Sequence, residues 1–188
     1  YAFDGCSSLT QITIPSSVTS IGNYAFNGCT SLKQVTFAIP SSVTRIIHCT
    51  FDRCSSLTQI TIPSSVTYIG YFAFGGCSSL KQVTFAIPSS VTSISHSAFR
   101  GCSSLTQITI PSSVTSIEDS VFSGYSSLTQ IIIPSSVTSI GECAFEQCSS
   151  LTQVTIPSSV TSIGKYAFKQ CSSLTQITIP SSVTSIGN

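Results

Sequence analysis

The block CSSLTQITIPSSVTSI occupies residues 6–21 and returns unchanged at 102–117 and at 171–186, with near copies filling the intervals. A chain that repeats one sentence must build one structural unit again and again, so this repetition constrains the fold more than any other feature. Prolines mark the beat at positions 15, 40, 63, 88, 111, 134, 157 and 180, at successive intervals of 25, 23, 25, 23, 23, 23 and 23. Leucines at 9, 32, 57, 80, 105, 128, 151 and 174 keep the same rhythm. Eight such units, six short and two long, account for the whole chain.

One unit carries its own folding instructions. Between Leu9 and Ile14, Ile12 and Ile14 share one face while Gln11 and Thr13 share the other, which is the period of a strand. Pro15 has no N–H to donate and ends the strand. Ser16 and Ser17 supply a turn. Val18 and Ile21 suit a short second strand or an extended arm, and Gly22 permits a sharp bend. Tyr24-Ala25-Phe26 then reads as a short helical or 3₁₀ turn that carries a large apolar plug. No single coil can bury this many apolar side chains alone. Coils stacked at the strand spacing of roughly 4.8 Å bury them between neighbours. The recurring phenylalanines, from Phe3 through Phe74 to Phe168, are expected to form a packed spine.

The two long units read SLKQVTFAIPSS, at 31–42 and 79–90. Each carries two extra residues ahead of its proline. An even insertion preserves the facing of a strand, so Val35, Phe37 and Ile39 are expected on one side. Long and short units alternate at first, and the resulting two-unit period, marked by Leu9, Leu57 and Leu105, indicates duplication of pairs.

Charged residues make up 7% of the chain, far below the roughly 25% of an ordinary domain, and Ser and Thr take their place. With a net charge of +1, nothing steers the molecule toward nucleic acid. No apolar run approaches the roughly 18 residues of a membrane span. Seven of the nine cysteines fall at one repeat position, which fits a small buried residue better than a disulfide framework. Cys49 and Cys143 each stand five residues before such a cysteine, so a local Cys49–Cys54 or Cys143–Cys148 bridge is the alternative to free thiols. Ile186-Gly187-Asn188 followed by Tyr1-Ala2-Phe3 would spell IGNYAF, a string present at 21–26. One domain over 1–188 is therefore expected, as a slice of a longer array or as a unit whose ends meet other copies.

The pattern L-x-x-I-x-I-P-x-x-V-x-x-I-x-x-x-A-F-x-x-C, carried by Leu9, Ile12, Ile14, Pro15, Val18, Ile21, Ala25, Phe26 and Cys29, resembles the BspA-type leucine-rich repeat over the whole chain. Tyr125 departs from it, standing where a cysteine should be, as do the two long units. The resemblance implies a β-rich repeat solenoid: a right-handed leucine-rich-repeat coil with a parallel sheet on one face, and short second strands with helical or 3₁₀ turns on the other. It also implies a surface antigen or adhesin, on the cell surface or secreted, that binds extracellular-matrix or cell-surface partners.

Two sets of residues are candidates for partner contact. Gln11, Gln34, Gln59, Gln82, Gln107, Gln130, Gln153 and Gln176 form an outward ladder beside a threonine row that Ile132 interrupts. The ladder reads either as a binding face or as amides that bond one another along the solenoid. A uniform ladder discriminates poorly between partners. The differences between coils lie on an edge column: His48, Tyr71, His96, Asp119, Glu142 and Lys165. That edge reads either as the seat of partner choice or as a solvated rim free to drift. Glu118, Asp119, Glu142 and Glu146 read as a charged rim rather than a calcium loop. The serines lack His and Asp at recurring spacing, and no phosphate-cradling glycine loop occurs. A non-enzymatic chain without cofactor or metal is expected, binding a protein or glycan. The alternative is an element that associates with itself head to tail into filaments.

Overall fold

The computed structural model describes residues 1–187. Its strands, in chain order, are β1 (Gln11–Ile14), β2 (Gln34–Phe37), β3 (Arg45–Ile46), β4 (Gln59–Ile62), β5 (Tyr68–Ile69), β6 (Gln82–Phe85), β7 (Ser93–Ile94), β8 (Ser116–Ile117), β9 (Gln130–Ile132), β10 (Ser139–Ile140), β11 (Gln153–Thr155), β12 (Ser162–Ile163), β13 (Gln176–Thr178) and β14 (Ser185–Ile186). All pairings are parallel and join equivalent positions of successive coils, such as Gln11 with Gln34 and Ile140 with Ile163. The chain is a parallel β-solenoid of about eight turns, as the repeat predicts.

The sequence places two ladders on two faces. The longer strands form sheets in the orders β1-β2-β4-β6 and β13-β11-β9. The two-residue strands form β3-β5-β7 and β14-β12-β10-β8. Between the sheets lies one continuous core in which Leu32, Leu57, Leu80, Leu105, Leu128 and Leu151 are fully buried. Phe rings stack from coil to coil: Phe26 on Phe51 at 5.3 Å, Phe51 on Phe74 at 5.5 Å and Phe74 on Phe99 at 5.1 Å between centroids.

The third side of each coil corrects one expectation. Among the described residues there is no helix of either kind. The reason lies in the backbone. Tyr24 (φ 56°) and Gly28 (φ 65°) both adopt the left-handed conformation, and their equivalents do so in the other coils, including Cys49, Arg53, Cys143 and Gln147. Two left-handed residues four apart cannot belong to a right-handed helical run. The N–H groups are divided accordingly. Those of Asn27 and Cys29 close local turns onto Tyr24 and Phe26, while those of Tyr24, Phe26 and Gly28 donate to the carbonyls of His48, Thr50 and Asp52 in the next coil. The turn segment is thus a third inter-coil ladder.

Side-chain hydroxyls explain the Ser and Thr content. Ser65, Ser136 and Ser159 donate to the Val43, Val114 and Val137 carbonyls of the preceding coil at 2.6–2.7 Å. Thr67, Thr138 and Thr161 do the same with the threonine carbonyl one coil earlier, at 3.2 Å. The cysteines add a further row. Cys29, Cys54, Cys77, Cys102, Cys148 and Cys171 each point Sγ at the carbonyl of the previous coil's phenylalanine, 3.1–3.3 Å away. All nine cysteines are free thiols, so neither local bridge forms.

The long units supply the second correction. Val35 and Phe37 point inward, but Ile39 is 97% exposed and its counterpart Ile87 is 96% exposed. Strands β2 and β6 end at Phe37 and Phe85, so the alternation that fixes facing no longer applies to the two added residues. The insertions also disturb the ladder beyond them. β1 and β2 pair at four positions, as do β4 and β6, whereas β2 and β4 pair only at Gln34 with Gln59. After the second insertion, residues 107–110 form no strand and keep one isolated bridge, Thr109 to Ile132. The long face, seven strands over eight coils, is therefore divided rather than continuous.

Candidate functional site

Alternation in the long strands sets the first surface. Ile and Val turn inward, which leaves the eight ladder glutamines exposed. Seven of them open a strand, and Gln107 lies in the strandless stretch. Among the described residues the ladder makes one side-chain hydrogen bond, from Gln34 Nε2 to Thr36 Oγ1 at 3.4 Å, and no amide bonds its neighbour. Apart from that of Gln34, the amides make no side-chain hydrogen bond among the described residues.

The two insertions carve this face into clefts. One, of about 640 Å³, lies between β2 and β4 and is lined by Gln34, Phe37, Ile39, Gln59 and Pro63. The other, of about 770 Å³, lies between β6 and the next coil and is lined by Gln82, Ile87, Gln107, Ile110 and Pro111. The clefts occupy equivalent positions two coils apart. Sequence reasoning missed them, because it judged the insertion only by whether it preserved facing. The signal was the AIP tripeptide, which puts an isoleucine beyond the strand end in both long coils.

The edge column divides into two chemically different halves. In its first half, aromatic and imidazole rings assemble. Tyr1 stacks on Tyr24 at 4.8 Å, Tyr24 lies 5.2 Å from His48, His48 4.9 Å from Tyr71, and Tyr71 4.5 Å from His96. Tyr24 OH and His48 Nε2 are 3.0 Å apart, and Phe72 meets Tyr71 edge-on at 4.5 Å. His48 and Tyr71 are half-buried in this stack while His96 is exposed. The second half is charged. Asp119 Oδ1 accepts the Glu142 N–H at 2.6 Å. Lys165 and Lys169 both lie 4.9 Å from the Tyr166 ring. Lys169 also pairs with Glu146 at 2.9 Å, and that hydrogen bond holds the Glu146 carboxyl below its ordinary range. The structure thus brings His48, Tyr71 and His96 into one stripe and Asp119 beside Glu142, with Lys165 further along the same edge. Among the described residues no three His, Cys, Asp or Glu side chains converge as metal ligands would, and no helix is long and apolar enough to cross a membrane.

What such a surface can do is bind. Its interior atoms are committed to packing and inter-coil bonds, and its outward groups are amides, hydroxyls, rings and a few charges. Known proteins share this build. The chain is similar to the crystal structure of the leucine-rich repeat protein TpLRR from T. pallidum, with a TM-score of 0.76 and 30% identity, over 95% of this chain and 73% of that one. It is also similar to the pneumococcal vaccine antigen PcpA (TM-score 0.59, 25% identity, 95% of this chain and 58% of that one). A third similar structure is a leucine-rich repeat protein from Eubacterium ventriosum (0.65, 25%, 96% and 57%). The chain spans less than three fifths of the last two. No curated protein matches it. In sequence it matches the BspA type leucine-rich repeat region in six copies, over residues 1–124 and 83–188. Because these matches together span the chain, it belongs to the BspA-type leucine-rich repeat family.

Proposed function

We propose that the chain is a non-enzymatic adhesin-like scaffold that displays its glutamine face and its aromatic-to-charged edge to a protein or glycan partner at the cell surface. Leucine-rich repeat proteins of this family generally act as protein-binding or surface scaffolds. The observation that carries the reading is the row of exposed ladder glutamines whose amides make no bonds to one another. Stacked coils hold the backbone of these residues at fixed spacing, so contact orders side chains and not the chain that carries them. The rigid ladder supplies reach, and the edge from His48 to Lys165 supplies the differences between coils that specificity needs.

The test is a binding screen against extracellular-matrix proteins and a glycan array, repeated with Gln59→Ala/Gln82→Ala and with Tyr71→Ala. A partner whose binding falls in either variant supports the reading. Partners that bind all variants equally, or no partner at all, count against it. Light scattering at rising concentration checks the alternative of head-to-tail stacking between copies. A strict monomer removes that alternative.

A further inference from the structure

The two long coils share two features that no other coil has. Each replaces the threonine ahead of its ladder glutamine with a lysine, Lys33 or Lys81, and each carries ahead of its proline an isoleucine more than nine-tenths exposed, Ile39 or Ile87. All four side chains are exposed or nearly so, the isoleucines most of all. An isoleucine more than nine-tenths exposed leaves most of its apolar area in water, and its burial against a partner is favourable. The six acidic residues of the chain, at 4, 52, 118, 119, 142 and 146, all lie outside the glutamine face. Lys33 and Lys81 stand just ahead of β2 and β6, outside the lining of either cleft, so the face offers two apolar steps beside two cations with no carboxylate of its own to satisfy them.

The spacing selects the ligand. Two coils at the strand spacing place equivalent points about 9.5 Å apart. A polyproline II chain rises about 3.1 Å per residue with three residues per turn, so its side chains at i and i+3 share a face roughly 9.3 Å apart. An extended strand cannot match this step, because its same-face residues recur at about 6.7 Å and 13.4 Å. A polyproline II backbone also has no internal hydrogen bonds, and the exposed side chains of Gln34, Gln59 and Gln82 lie along its path, those of Gln59 and Gln82 without a side-chain hydrogen bond.

We infer that Lys33, Ile39, Lys81 and Ile87 form a two-step docking site for an extended, polyproline-type peptide with an apolar side chain at every third position and a carboxylate next to each. The apolar side chains enter the two clefts against Ile39 and Ile87. The carboxylates turn toward the lysine row, where the opposite charges complement each other. This inference rests on the scaffold reading and assigns it a site and a partner class.

The probe is a fluorescein-labelled peptide of three tandem Leu-Glu-Pro triplets, titrated with the full chain at low salt and followed by anisotropy. Saturable binding below about 1 mM is expected. Ile39→Ser and Ile87→Ser should each weaken it roughly tenfold. Lys33→Glu with Lys81→Glu should weaken it and reverse its salt dependence, because salt then screens a repulsion. Tandem Leu-Glu-Pro-Pro quartets, which break the three-residue step, should bind more weakly. The substituted side chains lie outside the core, so the variants should melt with the wild type, and a matched melting curve makes a loss of binding a site effect. Absence of saturation, or equal binding by an Ile39→Ser/Ile87→Ser double variant, overturns the inference. A glycan that binds through the two isoleucines while the peptide does not also overturns it. A matrix protein held equally by wild type and double variant overturns the site yet leaves the scaffold reading standing.

Discussion

Tyr125 turns its ring edge-on to Phe122, with 5.6 Å between centroids and an interplanar angle of 71°. Every other neighbouring pair in the phenylalanine spine is parallel-stacked, and among the described residues the run is interrupted only between Phe99 and Phe122. The cause is one substitution in the repeat. Tyr125 occupies the cysteine row, where the other coils place a thiol that donates to a phenylalanine carbonyl. Its hydroxyl is fully buried against the Cys102 thiol, a weak partner at best, and bonds no nitrogen or oxygen.

Tyr125→Phe should therefore stabilise the protein. The ring keeps its packing, and the orphaned hydroxyl, which costs about 1–3 kcal/mol when buried unpaired, is removed. For a chain of this size each kcal/mol moves the melting temperature by roughly 2–4 °C. Calorimetry of the variant beside wild type checks this. A lower midpoint would mean that the hydroxyl finds a partner in solution.

Phe74→Ala tests the spine itself. Phe74 is fully buried and stacks on both Phe51 and Phe99. Truncation leaves a cavity between two rigid coils that cannot collapse independently, and a loss of about 3–5 kcal/mol is expected. Because each coil contacts mainly its neighbours, the damage should be local before it is global. Hydrogen exchange should show lost protection first in the coils around residues 51, 74 and 99. Uniform loss along the chain would contradict a neighbour-only solenoid.

The strand pattern, the turn prolines and the inward phenylalanines were legible because they repeat, and repetition separates what packing demands from what it tolerates. The left-handed residues were harder to read. Gly5, Gly28, Gly76, Gly101 and Gly124 stand in one column and announce a positive φ, but Arg53, Gln147 and Gln170 share that backbone without showing it. Tyr24 and its equivalents announce nothing, since the column holds no glycine. Ile39 was misread because alternation is a property of a strand, and β2 ends before Ile39 is reached. The ring stripe through His48 and Tyr71 could not be read as a stack from letters alone, since it depends on the rings leaning toward one another across coils. The clefts needed three dimensions, because the added residues leave the strand and shorten the pairing of β2 with β4 to Gln34 and Gln59, an opening that the letters do not show.

The hidden left-handed residues give a clean substitution. Gln147 has φ 62° and an exposed side chain, in the column where five other coils use glycine. A left-handed non-glycine residue costs roughly 1–2 kcal/mol, partly offset by the greater freedom of glycine in the unfolded chain. Gln147→Gly should raise stability in urea by about 0.5–1 kcal/mol, and Gly28→Ala should lower it by a similar amount. Opposite signs at equivalent positions would be hard to explain by anything except the backbone. If both substitutions destabilise, the side chain of Gln147 contributes more than its φ.

The buried thiol row makes the fold sensitive to alkali. Burial pushes the Cys54 and Cys102 thiols up to about 12, and Cys77 well above its ordinary value of 9.0. An acid whose pKa is raised by folding holds its proton longer in the native state than in the unfolded chain. The stability tied to it is complete below the unfolded value near 9 and is lost as pH rises from there through the folded value near 12. Each such thiol removes about 1.4 kcal/mol per pH unit across that window, so several together should bring the midpoint of chemical denaturation down steeply above pH 9. The same burial argument applies to Tyr125, whose hydroxyl is also held well above its usual range. Denaturation under reducing conditions at neutral pH and at a series of alkaline values measures the slope. Cys54→Ala with Cys102→Ala should flatten it by the share of two thiols, while lowering stability at neutral pH through loss of the bonds to the Phe26 and Phe74 carbonyls. A midpoint that does not move between pH 9 and 11 would show that these thiols reach water, and that the solenoid opens far more readily than its packing implies.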